Sequence, residues 1–241
     1  MTSKHDQIAG ALIQDILNAH YRVGERMPSE RDLAARFDVN RGAVREAMKK
    51  LEQIGLVLIQ PGGARVQATS EASLDVISHM LNEGDLPDQT LVDQILVVIG
   101  SLMRVAAEQT LELATDAEIE NIQRLAKPLY QSTLDEQAHT LARFELFQSI
   151  MLTSRNLPLQ LIARSLFEQF APNVTQLHEH VQIDHSAYSS FAEQLDHALT
   201  DRNLPAVQAA FAALSSLNRE YTLRAFEIAQ QQIRQFTLSV G

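Results

Sequence analysis

Cysteine is absent from this chain, which removes disulfides, thiolate metal sites and cysteine nucleophiles. Long apolar runs are missing too, with no segment that reads as the roughly 18 apolar residues of a membrane span. The start, Met1-Thr-Ser-Lys-His-Asp, has no apolar stretch of the signal-peptide kind. A cytoplasmic protein with no membrane partner is therefore expected. None of the patterns Gly-x-Ser-x-Gly, P-loop, Gly-x-Gly-x-x-Gly or His-Glu-x-x-His occurs, so an enzyme is not expected. Cations are scarce as well, 20 Lys and Arg against 30 Asp and Glu, for a net charge of −10.

That deficit is unevenly placed. Residues 1–68 carry ten cations and eight anions, a balance of +2, and the rest carries −12. From Arg22 to Lys50 there are eight cations against five anions. Phosphate binding needs local positive charge, not a positive total. Ordinary surface variation would also give a +2 segment, so charge supports a nucleic-acid reading without carrying it. With 241 residues, of which 45% are hydrophobic, the chain has the length of two modest domains with real cores.

Ile8, Leu12, Ile16 and Leu17 are spaced as on one helix face between Asp6 and His20. Val23 to Pro28 breaks that pattern. Ser29 then stands as an N-cap before Glu30–Phe37, with Asp32 as a weak capping-box partner. Asp38-Val39-Asn40 reads as a turn, and a further helix runs from Arg41 to Ile54, ending at Gly55. Leu56–Gln60, Pro61-Gly62-Gly63 and Ala64–Ala68 read as strand, turn and strand. Helix, helix, turn, helix and hairpin within 68 residues make a winged helix-turn-helix. Residues 69–75 read as a linker, and 76–241 as an all-α antiparallel helical bundle. Its helices are expected near 74–83, 89–113, 116–130, 134–154, 158–182, 186–202 and 204–237.

A helix-turn-helix lays its second helix in the major groove, with the first residues at base edges. Here those residues are Asn40, Arg41, Gly42, Ala43 and Arg45. Arg41 and Arg45 lie one turn apart, off the Val44/Met48/Leu51 stripe, and arginine is the side chain that pairs bidentately with guanine. Arg31 could reach a phosphate or a base. Lys49 and Lys50 suit phosphates. Gly62 and Gly63 would present bare backbone at the wing tip, with Arg65 behind. Taken singly, each arginine also fits a solvated helix face.

The stretch from Met27 through Pro-Ser-Glu-Arg-Asp-Leu-Ala-Ala-Arg-Phe-Asp-Val-Asn-Arg-Gly-Ala-Val-Arg-Glu-Ala-Met to Gly55-Leu-Val resembles the GntR family signature. The resemblance implies a transcription regulator that binds double-stranded operator DNA as a homodimer, with Arg31, Arg41, Arg45 and Gly62 as DNA contacts. Asn40 stands where the family usually has Ser or Thr, and Pro61–Ala64 lacks the common wing His or Lys. An all-helical second domain resembles the FadR subfamily, as do Ala114–Ile119 and Phe144–Leu159.

Many members of that subfamily hold a divalent metal through an Asp-x-x-x-His pair and two later histidines. Those positions fall here on Arg143, Phe147, Ala192 and Leu214, so no metal and no cofactor is expected. The usual pocket arginine would align near Ile99, with Arg104 about one turn on. His178, His180 and His185 cluster with Asp184 and Glu179, but helical residues two apart face about 200° from each other. Arg104, Arg143 and Phe147 are therefore the candidate effector-pocket residues, and an acyl-CoA or other apolar small molecule is the leading effector. A packed core, a small-carboxylate sensor and an effector-independent dimeric DNA-binding protein stay open.

Overall fold

The computed structural model describes residues 3–82, 86–131, 134–174 and 184–240, with side chains outside 171–174 and 233–240. Two units result, Met1–Asp88 and Gln89–Gly241. In the first, α1 (Lys4–Leu17) starts at a Ser3/Asp6 capping box and buries Ile8, Leu12, Ile13 and Ile16. Helix α2 (Glu30–Phe37) starts at Ser29 and closes on Asp38 in the left-handed region, φ 50°. Aspartate tolerates that conformation, and it turns the chain within three residues into α3 (Arg41–Gln53). Val44, Ala47, Met48 and Leu51 of α3 pack on α1 and on Leu33 of α2. Leu12, Leu33, Val44, Leu51 and Leu56 are at most 1% exposed, each contributing about 1.5–3 kcal/mol by burial.

Strands β1 (Val57–Gln60) and β2 (Gly63–Val66) pair antiparallel, from Val57 opposite Val66 to Gln60 opposite Gly63. Pro61 and Gly62, φ 102°, form the two-residue connection, the residue order of a type II turn. The hairpin gains a third edge that the sequence did not reveal. Met27 N–H donates to Ala64 O (2.9 Å) and Val66 N–H to Glu25 O (3.0 Å), so the loop before α2 fastens the wing to the helices. A 3₁₀ turn (Thr69–Glu71) and α4 (Val76–Leu81) complete this unit. Val76 enters its core, and Gln14 Nε2 donates to His79 O (3.0 Å). Residues 76–81, read from sequence as the start of the bundle, thus pack with the first unit.

The second unit consists, in its described residues, of helices α5 (Gln89–Leu113), α6 (Asp116–Ala126), α7 (Pro128–Gln131), α8 (Glu136–Thr153), α9 (Leu157–Val174), α10 (His185–Thr200) and α11 (Leu204–Val240). The expected helix 116–130 is two, because Pro128 has no N–H to continue the ladder. Thr115 and Glu118 form a full capping box on α6. Arg155 donates to Leu113 O (2.5 Å), and Arg202 donates to Leu111 O and Ala114 O (both 3.2 Å). These arginines cap the carbonyl end of α5, where cations are favoured. Helix α5 packs along α11 and α8 around Met103, Ala106, Ile122, Leu146, Ile150, Leu195 and Leu214. With a mean hydropathy of 1.6, α5 is long and apolar enough to cross a membrane, an exception to the expectation that no segment is. Its buried face is the core just described.

Candidate nucleic-acid interface and effector cavity

Helix α3 presents its polar side to solvent because its apolar stripe is spent on α1. Arg41 and Arg45 are both exposed on that side. Arg45 is held by Glu30 at the start of α2, with Nε on Oε1 (2.9 Å) and Nη2 on Oε2 (2.8 Å). That bidentate pair holds the Glu30 carboxyl below the usual range. It is solvent-exposed, so it contributes little to stability, and a base or phosphate can displace it. Asn40 Oδ1 accepts from Ala43 N–H (2.8 Å) and so caps the start of α3. The Arg31 side chain is 77% exposed, its nearest anion being Asp32 at 3.5 Å. Lys49 reaches Glu46 (2.9 Å), and Lys50 is tied to Asp6 of α1.

In the wing, Gly62 stands in open space, whereas a Cβ on Gly63 would meet Arg26 Nε at 2.8 Å. Arg65 Nη1 donates to Gly24 O (2.9 Å), bracing the loop.

In the helical unit, α5, α8, α9, α10 and α11 line a half-open cavity of about 290 Å³. Leu96, Ile99, Gly100 and Met103 line it from α5, and Phe167 and Phe170 from α9. Arg143 and Phe147 line it from α8, one turn apart. Arg143 Nη1 donates to Asn218 Oδ1 (2.5 Å) and Nη2 to Thr140 Oγ1 (3.0 Å). Its Nε is enclosed and has no partner among the described residues. Burial pushes the guanidinium below its ordinary value, opposed by Tyr188, Glu136 and Tyr221. Phe147 meets Phe167 edge-on, centroids 4.3 Å apart.

Residues 4–66 match the family described as bacterial regulatory proteins, gntR family. The first unit is a GntR-type domain. Among curated relatives, LutR of Bacillus subtilis, an HTH-type transcriptional regulator, is 30% identical over 141 residues, 58% of this chain and 64% of that protein. The Uxu operon regulator of Haemophilus influenzae is 33% identical over 126 residues, 52% of this chain and 41% of that protein. The chain thus spans less than two thirds of the length of these relatives. A solved structure described as "Lar controls the expression of the Listeria monocytogenes agr system and mediates virulence" shares the fold, with TM-score 0.57 and 15% identity over 94% of this chain and 98% of that one.

In the GntR-type domain the structure brings together Arg31, Asn40, Arg41, Gly42 and Arg45 at one end of α2 and α3. Ala43 beside them is half-buried against the core, and its N–H donates to Asn40 Oδ1. Arg65 and Gly63 serve the wing's own packing. Glu30 and Arg26 went unnoticed in the sequence because their partners lie 15 and 37 residues away. In the helical unit Arg143 and Phe147 reach the cavity, as do Ile99 and Leu214. Arg104 does not: it is exposed, because five residues past Ile99 is about 140° further round a helix. Asn218, Ser215 and Thr222, all on α11, were missed. Of the histidine cluster, residues 178–180 lie outside the described residues.

His139, one turn before Arg143, is 2% exposed and packs edge-on against Tyr188 and His185. Neither ring nitrogen has a partner among the described residues. Burial, and then Arg143 and His185, lower its pKa to about 4. The unfolded chain takes up the proton near pH 6.5, so stability is full above that value and is lost as pH falls toward 4. Between pH 7.5 and 5 the expected loss from this group is about 2 kcal/mol. Urea unfolding of wild type and His139→Phe at both pH values checks this: the variant should lose that much less.

Proposed function

We propose that this chain is a GntR-family transcription regulator of the FadR type, a homodimer without enzymatic activity that binds operator DNA and is controlled by a small molecule. The observation that carries the reading is the exposed α3 edge, where Arg41 and Arg45 stand one turn apart beside Arg31 and an open Gly62 wing tip. Arginines so placed read guanine in the major groove, and the wing lies along the flanking backbone. Homodimerisation fits the two half-sites that such heads require, and α5 carries exposed Val97, Val98 and Val105 on one face that a second copy would cover.

The cavity in the helical unit is the effector site in this reading. At about 290 Å³, it is roughly twice the ~150 Å³ void that takes up benzene. That volume suits a compact molecule, and a whole acyl-CoA would have to extend well beyond it. Ligand control requires that it bind the DNA-competent and DNA-incompetent states unequally.

Fluorescence anisotropy with DNA from upstream of the protein's own gene tests the DNA-binding part. Specific binding is expected, weakening roughly 100-fold between about 50 and 200 mM salt if some four phosphates are neutralised per dimer. Equal affinity for scrambled DNA would overturn the regulator reading.

A further inference from the structure

The tip of the wing has no charge of its own, since Gln60, Pro61, Gly62, Gly63 and Ala64 are all neutral. A cation reaches it from elsewhere in the chain. Arg26, in the loop before α2, stands directly opposite Arg65 of β2 in an isolated antiparallel bridge. The bonds from Met27 N–H to Ala64 O and from Val66 N–H to Glu25 O flank this pair. It is therefore the closer, non-hydrogen-bonded kind, with both side chains on one face. Gly63 lies two residues before Arg65 on the strand and so belongs to the same face. The two guanidiniums part along it. Arg65 Nη1 turns to Gly24 O (2.9 Å). Arg26 takes the other diagonal and lies across Gly63, where a Cβ would stand 2.8 Å from its Nε, 3.2 Å from its Nη2 and 3.4 Å from its Cζ. Arg26 is exposed, and its side chain has no hydrogen bond or ion pair among the described residues.

Two arginines directly opposite on one face repel each other, which weakens this edge of the free protein. An anion relieves that repulsion, and a guanidinium with its donors free matches a phosphate in two parallel hydrogen bonds. We propose that Arg26 is a DNA-contacting residue of the wing: laid over Gly63, it binds a backbone phosphate beside the half-site that α3 reads. Glycine at position 63 is what leaves it room. The proposal rests on the DNA-binding reading above and adds to it a contact from outside both the helix-turn-helix and the hairpin. A phosphate contact carries no sequence information, so Arg26 should add affinity for any duplex alike.

The test uses the full chain in anisotropy titrations on operator and scrambled duplexes, between about 50 and 200 mM salt. The variants are Arg26→Gln, Arg26→Lys and Gly63→Ala, the last also combined with Arg26→Gln. Losing one phosphate contact per protomer should lower the log–log salt slope by about 0.9, or about 1.8 for a dimer. At about 0.1 M salt that corresponds to roughly 60-fold weaker binding, the same on both duplexes. Arg26→Lys keeps the charge and should retain most of the affinity. The melting temperature of free Arg26→Gln should stay level or rise, because a like-charge pair is removed, whereas a purely structural role would lower it. Gly63→Ala displaces the guanidinium and should weaken wild-type binding, with little further effect in Arg26→Gln. Backbone strain at φ 127° is common to both backgrounds, so the difference isolates the coupling. Unchanged affinity and salt slope in Arg26→Gln, a loss confined to the operator, or Arg26→Lys no better than Arg26→Gln would each overturn the proposal. A wild type that binds both duplexes equally overturns the regulator reading alone, since the slope still decides the role of Arg26. One that binds neither overturns both.

Discussion

Alanine at position 45 is expected to abolish most of the sequence preference while leaving the fold intact. Arg45 is exposed on α3, opposite the buried stripe, so its removal opens no cavity. A bidentate arginine–guanine contact discriminates by about 1–3 kcal/mol. A dimer would make it twice, so specific affinity should fall by roughly 30-fold to 20,000-fold. Non-specific binding should fall much less, since it draws on every cation near the backbone. Glu30 sharpens the test. In the free protein it accepts from Arg45 Nε and Nη2, and in the proposed reading it places a carboxylate on the side that faces DNA. Glu30→Gln should therefore raise non-specific affinity severalfold and keep the sequence preference. Anisotropy titrations of the three proteins on specific and scrambled duplexes, at one salt concentration, separate these effects. An unchanged preference in Arg45→Ala would remove α3 from the role of reading helix.

The pattern of success in reading the sequence follows from the range of the interactions concerned. Helix and hairpin spans were legible because caps, Pro and Gly act within a few residues: Thr115 with Glu118, Asn40 before α3, Pro61-Gly62 in the wing. Arg41 and Arg45 were legible because helical spacing alone puts them off the Val44/Met48/Leu51 stripe. The Glu30–Arg45 pair and the Glu25–Met27 edge of the wing were not, because each depends on how distant segments come together. The cavity shows both cases. Arg143 and Phe147 could be placed by counting back from Asn156, but Arg104 was misplaced by five residues' rotation. The polar positions Ser215, Asn218 and Thr222 follow helical spacing on α11, yet a 37-residue helix offers many such rows. Only the packing of α11 against α5 selects the row that matters.

Gly55→Ala should be more damaging than alanine at Gly24 or Gly62, although the side chain it adds is a single methyl. Gly55 ends α3 with φ 81°, and a Cβ there would lie 2.9 Å from Glu71 O and 3.1 Å from Ala72 Cα. Left-handed backbone costs a non-glycine residue about 1–2 kcal/mol. The clash adds to this, because both neighbours are backbone atoms of the turn that Ser73 N–H ties back to Ile54 O (2.9 Å). A total near 3 kcal/mol is expected, in the upper range of single substitutions. Gly24 and Gly62 also have positive φ but open space around them, so alanine there should cost only about 1 kcal/mol. The three variants in urea, followed by amide exchange in α1, α3 and the wing, distinguish strain from collision. Since Gly55 joins the reading helix to β1, Gly55→Ala should also weaken specific DNA binding, and Gly24→Ala should not. Equal stabilities for all three would mean that the Glu71–Ala72 turn moves aside, so that the junction between reading helix and wing is looser than its hydrogen bonds imply.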